Sequence, residues 1–131
     1  MSQRRYNPTI VRVARRAVRQ MELDIQTQRQ PNQCELVLKG EIDVYTAPKL
    51  KTELVETIES GCSNIVVDLE NVSFIDSSGL GVLVSALRRA RERDGAVRIV
   101  CTRENILKIF RITGLDKVFP VFSDLAEARK F

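Results

Sequence analysis

The sequence predicts an α/β fold: one domain in which amphipathic helices pack against a mixed β-sheet, in the order β-β-α-β-α-β-α-β-α. Three observations carry this. Two strand-like runs open the domain on either side of a short polar turn, as in an antiparallel hairpin. Residues 64–98 then read as a β-loop-α-β unit. Glycines at 61, 95 and 114 each follow a helical run, where a helix commonly ends. The 131 residues suit one domain with a proper core.

Residues 1–20 hold six arginines (Arg4, Arg5, Arg12, Arg15, Arg16, Arg19) and no acid. Ile10, Val13, Ala14, Ala17 and Val18 share one helical face. Such a stretch can lie on anionic lipid or a partner, or resemble a transit peptide. It can equally be an extension outside the fold, with Met21 beginning a domain that runs from 21 to 131. The remaining 15 basic residues face all 17 acids. The domain is therefore mildly acidic, which argues against direct nucleic-acid binding.

Met21–Gln28 alternates Met21, Leu23, Ile25 and Thr27 with polar residues, a strand with one wet face. Gln30-Pro31-Asn32-Gln33 is a turn, and Cys34–Ile42 is the second strand. Thr46 is the expected cap of the first helix, Pro48 sits in its first turn, and Ala47, Leu50, Leu54 and Ile58 form its buried stripe before Gly61. The β-branched run from Ile65 to Leu69 is a buried strand. Asp76, Ser77 and Ser78 stand at the start of the next helix, where backbone N–H groups lack intrahelical partners. Leu80, Leu83, Val84 and Leu87 give that helix its apolar stripe, and Gly95 is expected to stop it. Val97–Val100 follows as a strand, Arg103–Thr113 as a helix closed by Gly114. Val118–Val121 is expected as a short edge strand containing Pro120, and Ser123 as the cap of a last helix.

The absence of histidine excludes a Ser-His-Asp triad, a phosphohistidine relay and the usual zinc ligands. No Walker A sequence or Ser-x-x-Lys occurs, and Val84 stands where a dinucleotide fingerprint needs glycine. The chain is thus expected to be no enzyme, with no metal site and no cofactor. No apolar run approaches the roughly 20 residues of a membrane span. Cys34, Cys62 and Cys101 contain no Cys-x-x-Cys, and Cys34 and Cys101 fall at apolar strand positions. Reduced core cysteines and a cytoplasmic location fit.

Two readings stand for the Asp-Ser-Ser-Gly turn. One is a simple helix cap; the other is a phosphate site, since a helix N-terminus favours an anion. Gly79 and Gly81 would leave the first turn bare for close approach by another protein. Gly81, Ser85, Arg88 and Arg89 then form a docking strip on the non-core face.

Gly40-Glu41-Ile42-Asp43, Val66-Val67-Asp68-Leu69, Phe74-Ile75-Asp76-Ser77-Ser78-Gly79-Leu80-Gly81 and Ile109–Leu115 resemble, in the same order, the anti-sigma-factor antagonists of bacteria, the small STAS-domain proteins. The resemblance covers about Met21 to Ala128, with residues 1–20 outside it. It implies a partner switch. The dephosphorylated protein binds an anti-sigma factor that is also an ATP-dependent serine kinase, freeing the sigma factor. The kinase phosphorylates the serine after the motif aspartate, here Ser77, and a metal-dependent serine phosphatase restores it. Ser78 is the neighbouring motif residue; Asp43 and Tyr45 carry over as contacts near Asp76. The partner-binding set is then Asp43, Tyr45, Asp76, Ser78, Gly79, Gly81, Ser85 and Arg88. Two other functions share the fold: a docking subunit of a lipid-transport ABC complex, and a ligand-sensing module under no kinase.

Overall fold

In the computed structural model, which describes residues 23–130, the chain lays down five strands and four helices. They are β1 (Leu23–Arg29), β2 (Cys34–Ile42), α1 (Ala47–Glu59), β3 (Asn64–Ile75), α2 (Ser77–Arg91), β4 (Ala96–Val100), α3 (Glu104–Thr113), β5 (Val121–Phe122) and α4 (Leu125–Lys130). The order is the expected one. The basic extension, and the strand start expected at Met21, lie outside the described residues. None of the described helices is long and apolar enough to cross a membrane.

The sheet order is β1-β2-β3-β4-β5. β1 pairs antiparallel with β2, and every later pair is parallel, because each connection passes through a helix. Ile65, Val67 and Leu69 of β3 join α1 and α2 side chains in the main core, which Ile106, Phe110 and Phe119 complete. The rings of Phe110 and Phe119 meet edge to face at 6.1 Å. A smaller cluster of Val66, Val100 and Ala128 forms beneath α4. Here the wholly buried Glu35 accepts from Arg129, whose Nη2 stands 2.8 Å from Oε1, so the guanidinium holds this carboxyl below its usual range. Asp68 is also buried, and desolvation pushes its carboxyl upward.

β3 is longer than its apolar run because two register shifts against β2 let it continue to Ile75. Each places an extra residue on β3, so the core positions step from Leu69 to Val72 to Ile75 rather than by twos. Gly40, at φ 122°, lies at the second shift.

Several local expectations need correction. Helix α2 ends at Arg91, and the left-handed residue that follows is Asp94 (φ 58°), not Gly95. Gly95 is there for space: a Cβ on it would lie 2.0 Å from the Ser63 carbonyl oxygen. Val84 is only half-buried. Thr46 occupies the cap position of α1 but its side chain caps nothing; its hydroxyl donates instead to the Glu41 carbonyl at 2.8 Å. A 3-10 turn at Leu115–Lys117 delays the last strand to Val121. At α4 the Asp124 carboxylate, not Ser123, accepts from the Glu127 N–H. The cysteines are not all reduced: Cys34 and Cys62 form a disulfide, and Cys101 alone is free and buried.

Candidate functional site

Helix α2 begins where β3 leaves the sheet, and its first turn is organised by Asp76. With extended backbone at the cap position, Asp76 turns its carboxylate onto the helix end. Oδ1 accepts from the N–H of Ser78 at 2.9 Å and of Gly79 at 3.2 Å, and from the Ser78 hydroxyl. The Ser78 hydroxyl contributes most to holding this carboxyl below the ordinary aspartate range, with the two N–H groups adding to it. Asp76 is therefore a fixed negative charge at neutral pH.

The two serines of the turn have different fates. Ser78 is half-buried and its hydroxyl is committed to Asp76. Ser77 is exposed, and among the described residues its hydroxyl makes no hydrogen bond. Only one of the two presents a free oxygen to solvent. The phosphate-site reading also changes, because the Ser78 and Gly79 N–H groups already serve Asp76.

The glycines divide in the same way. Gly81 is exposed, and a Cβ there would meet nothing within 4 Å. Gly79 is buried, contrary to the bare surface expected of it. A Cβ on Gly79 would lie 2.4 Å from Ile42 Cγ2 and 2.9 Å from Ile75 Cγ1. Its role is to let α2 sit against the ends of β2 and β3.

That contact brings the β2–α1 loop to the site, as expected for Asp43 and Tyr45. The Asp76 N–H donates to the Ile42 carbonyl at 3.1 Å, tying the two loops together. Asp43 uses its carboxylate within its own loop, accepting from the N–H groups of Tyr45 (2.9 Å) and Thr46 (3.0 Å). This Asx turn projects Val44 and Tyr45, which are 62% and 69% exposed. Phe74, paired with Glu41 at the end of β3, is 46% exposed. Three large side chains are thus exposed at the end of β3 and on the β2–α1 loop beside it. Val44 and Phe74 were missed by sequence reasoning. The signal for Phe74 was its place one residue before the inward Ile75, which turns it outward.

Along α2, about 100° per residue puts Gly81 and Arg88 within about 40° of Ser77 around the axis. Arg88 is exposed, whereas Ser85 and Arg89 are half-buried. Arg89 lies 3.8 Å from Glu59, which also takes Arg93. Arg88 and Arg91 make no ion pair among the described residues and border a shallow groove with Val84, Leu87, Glu92 and Val118.

The STAS domain family model matches residues 24–128. This chain belongs to the STAS-domain family of bacterial anti-sigma-factor antagonists. It is 39% identical over 101 residues to an anti-sigma-B factor antagonist of Staphylococcus aureus, covering 77% of this chain and 94% of that protein. Among solved structures it is similar to an anti-sigma factor antagonist from Mycobacterium paratuberculosis (TM-score 0.77, 26% identity), covering 83% of this STAS protein and 92% of that chain. The fold is shared too with the Bacillus cell fate determinant SpoIIAA in its phosphorylated form (TM-score 0.66, 22% identity, 82% and 97% covered).

Proposed function

We propose that this protein is an anti-sigma-factor antagonist that holds an anti-sigma factor when Ser77 carries a free hydroxyl and releases it when Ser77 is phosphorylated. The partner doubles as the serine kinase, and a metal-dependent serine phosphatase reverses the modification. The observation that carries this reading is the difference between the two neighbouring serines: Ser77 is open and unbonded, while Ser78 is tied to Asp76. The names of the relatives supply the partner class.

The chain supplies an acceptor and a surface, not catalysis. Phosphoryl transfer needs a base to take the hydroxyl proton and metal-bound ATP, and in this reading the kinase brings both. The docking surface runs from Val44, Tyr45 and Phe74 across Ser77 and Gly81 to Arg88. Asp43 and Asp76 shape that surface by holding their loops, and Ser78 supports Asp76. Such a switch belongs in the cytoplasm and touches DNA only through its partners.

A phosphoryl group adds about −1.5 to −2 charges. The helix dipole offsets some of the effect of that charge, by about 0.3–1 kcal/mol at an exposed site. In a closed interface the group would be stripped of water beside the Asp76 carboxylate, and each ~1.4 kcal/mol lost there lowers affinity tenfold. Calorimetric titration against the purified anti-sigma factor tests the proposal. Ser77→Ala should bind tightly and Ser77→Asp should stay folded but bind at least tenfold more weakly. Equal affinities for the two variants would overturn the switch.

A further inference from the structure

The disulfide joins two places of different accessibility. Cys34 opens β2 with its side chain wholly buried in the main core, while Cys62 is half-buried in the connection between α1 and β3. Their Cα atoms stand 6.3 Å apart, within the range that a disulfide spans without backbone movement. The bond encloses residues 34–62, and so ties the start of β2 to the far end of α1. Inside that segment lie all of α1 and the Asp43–Thr46 loop.

We infer that Cys34 and Cys62 are a reversible redox clasp, a dithiol in reducing surroundings and a disulfide after oxidation. Cys62 is the point of entry, because a reagent can reach it while Cys34 is sealed in the core. With a low-molecular-weight disulfide as oxidant, the Cys62 thiolate attacks one sulfur. The oxidant's own S–S bond breaks, one thiol leaves, and a mixed disulfide remains on Cys62. Cys34 then gives up its proton and attacks the Cys62 sulfur, expelling the second thiol. Two protein thiols are oxidised and one external disulfide is reduced to two thiols. Reduction runs the same two steps backwards.

The third cysteine makes the response selective. Cys101 is buried, and burial raises its thiol's pKa, so it stays protonated and unreactive at neutral pH. Arg29 reinforces the same end of the molecule: it faces Cys34 across the β1–β2 pair and donates to the Ser60 hydroxyl, two residues before Cys62. That contact would help keep the α1 terminus near the start of β2 once the disulfide opens. Closing the clasp then needs little rearrangement.

The test is a thiol count on the whole chain after equilibration in mixtures of reduced and oxidised glutathione. Thiols are alkylated after denaturation, and the bond is mapped by mass spectrometry. Three thiols are expected at the reducing end and one, Cys101, at the oxidising end. Cys62→Ser and Cys62→Ala should each abolish the transition, and the Ala variant guards against a misfolded Ser variant. The oxidised form should melt about 10 °C above the reduced form, since the bond closes a long loop in the unfolded chain. Three thiols persisting in excess oxidised glutathione would overturn the inference. So would a bond to Cys101, or a disulfide that reduced glutathione does not open in the native protein.

Discussion

The two glycines of the Ser77 turn should respond in opposite directions to the same methyl group. At Gly79 the added Cβ would stand 2.4 Å from Ile42 Cγ2 and 2.9 Å from Ile75 Cγ1. Carbon atoms settle at about 3.5–4.0 Å, so one contact is short by more than about 1 Å. Neither isoleucine can retreat easily. Both are at most 1% exposed, they pair across β2 and β3, and the Asp76 N–H fixes the Ile42 carbonyl. Overpacking of this kind costs about 1–3 kcal/mol, and the upper end applies here. Alanine's helix preference returns up to about 1 kcal/mol, leaving Gly79→Ala destabilised by about 2 kcal/mol.

At Gly81 nothing lies within 4 Å of the new atom. Only the helix preference remains, and Gly81→Ala should be stabilised by about 0.5–1 kcal/mol. Urea unfolding followed by far-ultraviolet circular dichroism measures both against the parent chain. The midpoints should move apart with unchanged slope, since neither change alters how much surface unfolding exposes. Midpoints displaced in the same direction would refute the packing argument. A second readout separates fold from docking: Gly81→Ala, though more stable, should bind the anti-sigma factor less well if a partner lies close against that face.

Asp76→Ala removes the cap and should cost about 1–2 kcal/mol at neutral pH. The folded carboxyl titrates below its ordinary value of 3.8, so this contribution is complete above that pH and fades as the pH falls through the lowered value. Parent and variant unfolding curves should therefore converge below pH 4; a constant gap would refute the charge's part in the cap. Asp68 has the opposite sign. Burial raises its pKa, so its ionised form weighs against folding at neutral pH and that penalty disappears on acidification. Asp68→Asn retains an oxygen for the Glu70 N–H, which now donates to Oδ1 at 2.9 Å. It should raise the melting temperature at pH 7, with the gain shrinking as the pH falls through the raised value. A lowered melting temperature at pH 7 would refute this account.

Much of the fold was legible because it is written in local patterns. Cys34–Ile42 has the bounds its sequence predicts, and Gly114 takes the left-handed conformation that ends α3. Asp76, Ser77 and Ser78 were placed at a helix start by the change of period between β3 and α2. What escaped the sequence was set by atoms far away along the chain. Gly95 looks like a helix stop, but the Ser63 carbonyl decides its identity across 32 positions. Gly79 looks like surface until Ile42 and Ile75 close over it. At both helix starts where the predicted cap failed, an aspartate nearby took the work: the Asp43 backbone carbonyl accepts from the Ala47 N–H at α1, and the Asp124 carboxylate accepts from the Glu127 N–H at α4. A local sequence shows which residues can accept these N–H groups, and the path of the chain chooses among them. The same limit hid the disulfide, whose cysteines fall on different elements with a helix between them.

In the proposed switch, the arrangement at Asp76 would let a phosphate on Ser77 alter binding and spare the fold. Ser77 lies at the first position of α2, so its side chain is not among the groups that hold the helix to the sheet. That task falls to Gly79, Leu80 and Leu83, all buried. In water a phosphoryl group there is hydrated and screened, and the fold feels little of it. A partner that covers the turn removes that water while Asp76 remains charged, because the bonds that cap the helix also keep its proton away. The phosphoryl charge would then meet a second negative charge that cannot be neutralised without loosening α2. In the proposed switch, the residue that shapes the docking surface would thus also be the one that makes a phosphate on it intolerable to a bound partner.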